Sequence, residues 1–119
     1  MKYMLLIHQG SSPTPRNPEA WERLSAEEQQ AIYTDYRELT ETRGVTPGLQ
    51  LEPAEAGVTV RVRDGELLRT DGPFAETKEA IAGYLVYEAD SLEQAVELAG
   101  RIPAARLGGA IEVRAVTEW

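Results

Sequence analysis

The sequence predicts an α+β fold in the order β-α-β-β-α-β, with a β-hairpin inserted after the second strand. Three observations predict it. Residues 2–8 and 80–88 are apolar on both alternating sets, Tyr3/Leu5/Ile7 with Met4/Leu6 and Ile81/Leu85/Tyr87 with Ala82/Tyr84/Val86, as in strands buried on two sides. Ser25 with Glu28, and Ser91 with Gln94, are helix-start signatures, each opening a run of helical period. The remaining extended stretches, near 45–52 and 111–117, supply two more strands, and Asp64-Gly65 marks a tight hairpin between two others.

In chain order, residues 2–8 form the first strand. Residues 9–20 hold Gly10, two serines, three prolines and Asn17, and read as a surface loop or lid. The first helix runs from Ser25 to about Arg43, with Ile32, Tyr36 and Leu39 on one face, and Gly44 stops it. A second strand over 45–52 is interrupted by Pro47-Gly48. Val58/Val60/Val62 alternate with Thr59/Arg61/Arg63, and Glu66–Thr70 returns beyond Asp64-Gly65. Asp71–Lys78 is a turn-rich connection into the strand Ala80–Glu88. The second helix places Leu92, Ala95, Val96 and Ala99 on its buried face, and Gly100 and Pro103 end it. After a loop over Ala104–Ala110, the last strand sets Ile111/Val113/Ala115 against Glu112/Arg114.

Without the hairpin this is the ferredoxin-like pattern, in which the first and third strands are central. Two helices cover only one face of such a sheet, yet the central strands are apolar on the other face as well. An open patch of that kind is unusual on a monomer, so a two-fold, face-to-face homodimer is expected.

The 119 residues are enough for one domain and a packed core, with 42% hydrophobic residues. A net charge of −8 opposes a nucleic-acid partner and an anionic membrane surface. With no cysteine there is no disulfide, thiolate nucleophile or iron–sulfur cluster. The apolar start Met1–Ile7 is too short for a signal-peptide core, and no stretch reaches the ~20 apolar residues of a membrane helix, which makes the cytoplasm the default. Ten of the twelve basic residues are Arg, and with the Ala and Gly content this hints at a GC-rich bacterial genome.

The segment Thr70-Asp71-Gly72-Pro73-Phe74-Ala75-Glu76-Thr77-Lys78-Glu79, followed by Gly83-Tyr84, resembles the signature of the YCII-related domains, in the branch named for its Asp-Gly-Pro-Phe motif. The similarity extends to Met1–His8, Val62-Arg63-Asp64-Gly65, Ser91–Ala99 with Arg101-Ile102-Pro103, and Ile111–Arg114. It implies a ferredoxin-like fold pairing into a dimeric α/β barrel, and no established activity. Relatives in the wider group resemble lactone isomerases and dehalogenases that use a His–Asp pair. That pair does not carry over, because Tyr33-Thr34-Asp35-Tyr36 has no histidine. Members of the branch are often encoded beside sigma factors of the extracytoplasmic-function type, which implies a possible sigma-factor-associated partner.

His8, the sole histidine, ends the first strand and is the one side chain that titrates near neutral pH unperturbed. Asp71 and Glu76 are candidate acid–base carboxylates beside it, with Lys78 able to tune them. Phe74 and Tyr84 are candidate ligand contacts, and the guanidinium groups of Arg61, Arg63 and Arg114 match a carboxylate. Each has a plain structural alternative. Asp71–Phe74 makes a turn with a core anchor, the charged residues form surface pairs, Tyr84 is core or interface, and His8 is a hydrogen-bonded strand end. No metal-ligand spacing, Gly-rich phosphate loop or cofactor motif is present. Two functions compete. One is acid–base chemistry on a lactone- or carbonyl-like organic acid in a cleft between sheet and helices. The other is a non-catalytic ligand-sensing or interaction module linked to transcription control.

Overall fold

Four strands make the central sheet: β1 (Lys2–His8), β2 (Val45–Gln50), β5 (Ile81–Glu88) and β6 (Ala110–Ala115). Their order is β2-β5-β1-β6, with antiparallel neighbours throughout. The two doubly apolar strands are therefore central, and the arrangement is the ferredoxin-like one. The computed structural model describes residues 1–72 and 81–118. From residue 73 on, the turn-rich connection to β5 lies outside them.

Side-chain alternation splits the sheet into two faces. Tyr3, Leu5 and Ile7 are buried on one, in register with Tyr87, Leu85 and Gly83. The helix α2 (Ala26–Glu41) covers this face near β2, and α3 (Leu92–Gly100) with α4 (Pro103–Arg106) cover it near β6. Among the described residues Leu5, Leu39, Ile102 and Pro103 are the largest fully buried side chains. Met4, Leu6, His8, Tyr84 and Val86 fall on the other face and are only half-buried, with no helix of the described residues over them.

The helix starts follow from local chemistry. Glu28 N donates to Ser25 Oγ and Ser25 N to Glu28 Oε1, closing the capping box of α2. Gln94 N donates to Ser91 Oγ at the start of α3. Two predicted loops instead contain short helices, α1 (Pro18–Glu22) and α4, each with proline in its first turn. A proline there gives up an amide that has no helical partner anyway, so it starts a helix as readily as it ends one.

The buried face of α3 also differs from expectation. Ala95, Leu98 and Ala99 are buried, and Ile102 continues their stripe, but Leu92 is 49% and Val96 53% exposed. With 3.6 residues per turn, Leu92 and Val96 lie roughly 70° and 110° round from the centre of the stripe that ends in Ile102.

On the edge strand β2, register shifts between Pro47 and Gln50. Edge position suits a proline that cannot donate to a ladder. A Cβ on Gly48 would collide with the Tyr84 carbonyl oxygen and lie within 2.6 Å of the Tyr84 ring, so glycine is required there.

The inserted hairpin, β3 (Val58–Arg63) and β4 (Glu66–Asp71), forms a separate two-stranded sheet. Its turn has positive φ at both Asp64 (51°) and Gly65 (77°), the mirror-image geometry that matches strand twist. Gly72 N donates to Gly57 O across its base at 2.8 Å.

The molecule measures 52 × 41 × 18 Å, with a radius of gyration of 16.3 Å, against about 13.5 Å for a compact chain of this length. It exposes 8484 Å², whereas a monomeric protein of this mass exposes about 6,400 Å².

Candidate functional site

A cleft of about 350 Å³ opens between the helix-covered side of the sheet and the 9–17 loop. Its floor is Ile7 of β1 with Gly83 and Leu85 of β5. Ile32, Tyr33 and Tyr36 enter from successive turns of α2, and Trp21 from α1. The spacing of these α2 residues turns them to the same side of the helix. Trp21 and Tyr33 meet edge to face, with ring centroids 5.5 Å apart at 71°, a favoured geometry for aromatic pairs. Gln29 Nε2 donates to the Trp21 carbonyl at 2.9 Å and ties α1 to α2.

The loop side is polar and fixed. Ser12 is buried, and its amide donates to Gln9 O at 3.0 Å. Ser11 N donates to Gly108 O at 3.3 Å, joining the loop to the segment before β6. At the mouth, Arg16 Nη1 donates to Leu51 O at 3.2 Å and to Glu52 Oε2 at 3.1 Å. Burial pushes the Tyr36 phenol above its usual pKa, and the Arg106 charge only partly offsets this. Tyr36 is therefore a neutral hydroxyl near pH 7. Arg106 itself pairs with Asp35 on the flank of α2. The described lining of the cleft thus offers hydroxyls, amides and one guanidinium, with no imidazole and no carboxylate among the described residues.

The sequence-nominated residues fall into separate places. His8 lies on the open face of the sheet, where its Nε2 is 3.2 Å from Glu112 Oε1. The other Glu112 oxygen is 3.8 Å from Arg114 Nε. The fold therefore gathers His8 and Arg114 around Glu112, on the opposite side of the sheet from the cleft floor. Tyr84 borders the cleft from β5 beside Gly48, although strand alternation sets its side chain on the open face with Leu6 and Val86. Asp71 ends β4 and is exposed, opposite Val58. Arg61 and Arg63 stand on the exposed hairpin opposite Leu68 and Glu66. Phe74, Glu76 and Lys78 lie outside the described residues. Among the described residues no three His, Asp or Glu side chains come together as a metal site, and no helix is long and apolar enough to cross a membrane.

Sequence reasoning missed Arg16, Trp21 and Tyr33, and took Tyr36 for core. The available signal was the loop or lid at 9–20 facing an aromatic-rich helix.

The fold and site define a ferredoxin-like α+β protein with a ligand-sized, aromatic-walled cleft between its layers. Residues 1–119 match the model of the YCII-related domain, and the chain belongs to that family. It is similar to an uncharacterized protein of Rhizobium meliloti (strain 1021), 34% identical over 119 residues, with 96% of this chain and 90% of that protein covered.

Proposed function

We propose that this chain binds a small, flat, largely apolar organic acid in the cleft and works as a homodimer. The observation that carries the binding reading is the cleft itself. Its volume of about 350 Å³ falls within the range of small-molecule pockets, which bury an apolar body and fix it with a few polar groups. The Trp21, Tyr33 and Ile32 side chains suit a planar hydrocarbon body. The neutral Tyr36 hydroxyl suits a carbonyl or lactone oxygen. Arg16 suits the carboxylate, because its exposed pair with Glu52 is worth at most about 1 kcal/mol and yields readily to a ligand.

The homodimer reading is supported by the open, half-buried face of β1 and β5 and by the large exposed surface. Two such faces packed together make a dimeric α/β barrel, with the cleft on the outer side of each sheet. Among the described residues the walls lack an imidazole or carboxylate to act as a base near neutral pH, which favours a ligand-sensing module over acid–base catalysis in the cleft. The Asp-Gly-Pro-Phe branch, a cytoplasmic location and a sigma-factor-associated partner belong to this same reading. A second reading rests on His8 and Glu112. An imidazole bonded to a carboxylate is held in one orientation, as a general base must be, and in the paired molecule it would lie between the two sheets.

Thermal denaturation against a panel of benzoate-like and short aliphatic carboxylates tests the binding reading. Acids that fit should raise the Tm by several degrees at saturation, and their amides should do so less. Ile32→Trp should fill the cleft and abolish the response without changing the circular dichroism. A panel that leaves the Tm unmoved overturns the proposal.

A further inference from the structure

We propose that the β3–β4 hairpin is a clasp that packs its apolar side against a second copy of this chain. Register places Val58, Val60 and Val62 on one side of the ribbon, with Leu67 directly opposite Val62, while Arg69 opposite Val60 and Asp71 opposite Val58 give that side a charged end toward the ribbon's base. Among the described residues nothing covers them: Val60 is 56% exposed, Val62 70% and Leu67 68%. The other side carries Thr59, Arg61, Arg63, Glu66 and Thr70 with Leu68, so the ribbon is amphipathic although it stands clear of its own core. Two strands of six residues reach about 20 Å. An isolated two-stranded ribbon is at best marginally stable in water, and a regular one with an apolar stripe calls for a covering surface.

Two observations and a symmetry argument point to a second copy as that surface. The chain exposes 8484 Å², about 2,000 Å² beyond the expectation for a monomer of its mass and well above the ~800 Å² that each partner contributes to a standard interface. The ribbon carries as many arginines (61, 63 and 69) as acids (64, 66 and 71), so the whole net charge of −8 resides outside it. A segment with no net charge of its own can approach another acidic copy without net repulsion. A two-fold pair also uses each surface twice, so one ribbon and its docking surface are both satisfied by the same contact.

The inference rests on the homodimer reading and adds the ribbon to the sheet face. Because Gly72 N and Gly57 O are already hydrogen-bonded, residues 58–71 can be replaced by a short glycine link without moving the body. Sedimentation of the whole chain, the excised chain and Val60→Asp/Val62→Asp across a wide dilution series provides the test. The whole chain is expected to dimerise, the double substitution to keep its far-ultraviolet circular dichroism, and the excised chain to unfold cooperatively on heating. Their dimer dissociation constants should rise about 100-fold or more, the effect of exposing several apolar side chains. If the excised chain misfolds, the double substitution decides alone. Variants that pair as tightly as the whole chain, while Val86→Asp on the sheet face dissociates, overturn the clasp and leave the homodimer. A whole chain that stays monomeric at every concentration overturns both.

Discussion

Residues near one another in sequence declared their roles, and residues joined only by the fold did not. Ser25 and Glu28 form their capping box because the partners are three positions apart. Hydrogen bonds from the Ser25 amide, and then from its hydroxyl, hold the Glu28 carboxyl below its usual pKa. A folded pKa below the unfolded one adds stability that is present above the unfolded pKa and disappears as pH falls through the folded value. Glu28→Gln should therefore flatten part of the acid limb of a Tm-against-pH profile and leave the neutral limb's shape unchanged; an identical acid limb would refute the bond's role. His8 and Glu112, by contrast, are 104 positions apart, and only the β1–β6 register brings them together. Tyr36 shows a third case. A tyrosine on an apolar helix face reads as core, and only the neighbouring loop reveals that it borders a cleft. Tyr36→Phe should keep the fold and weaken a carbonyl-bearing acid about tenfold, the loss of one hydrogen bond, measurable by calorimetry.

At the scale of elements, the strands were legible because alternation reports which faces are covered, and the central pair declared itself by being apolar on both. The helix α3 was legible in existence but not in rotation. Its first two turns admit more than one apolar stripe, and only continuation into Ile102 selects Ala95, Leu98 and Ala99. Leu98→Ala should cost about 2–4 kcal/mol in chemical denaturation, as core truncations do. Val96→Ser on the same helix should stay within about 0.5 kcal/mol in dilute, unpaired protein. Equal costs would return the helix to the rotation first expected. The ribbon β3–β4 was legible as a hairpin, but alternation cannot say whether its apolar side meets its own sheet or another molecule, since both demand the same pattern. The short helices begun by Pro18 and Pro103 were hidden for a simpler reason: the same residue marks a start and a stop.

For the whole molecule, the consequence of the open sheet face is association. Met4, Leu6, Tyr84 and Val86 are contiguous across β1 and β5 by register, and among the described residues no element lies on them. The polar trio His8, Glu112 and Arg114 borders them toward β6, as polar groups border the apolar centre of an interface. The strongest test is to put a charge at that centre. Tyr84→Asp and Val86→Asp each place a carboxylate where two sheets would exclude water, and a buried unpaired charge costs far more than the contact it replaces. In an isolated subunit the same aspartate would stay half-solvated and mild, as surface changes are. The two cases diverge in the measurement. If the faces pair, light scattering should find monomer, or the protein should precipitate, with Tm falling as subunit mass halves. If light scattering of either variant returns the unaltered dimer mass, that face is not where the copies meet, and the barrel built on it has to be abandoned.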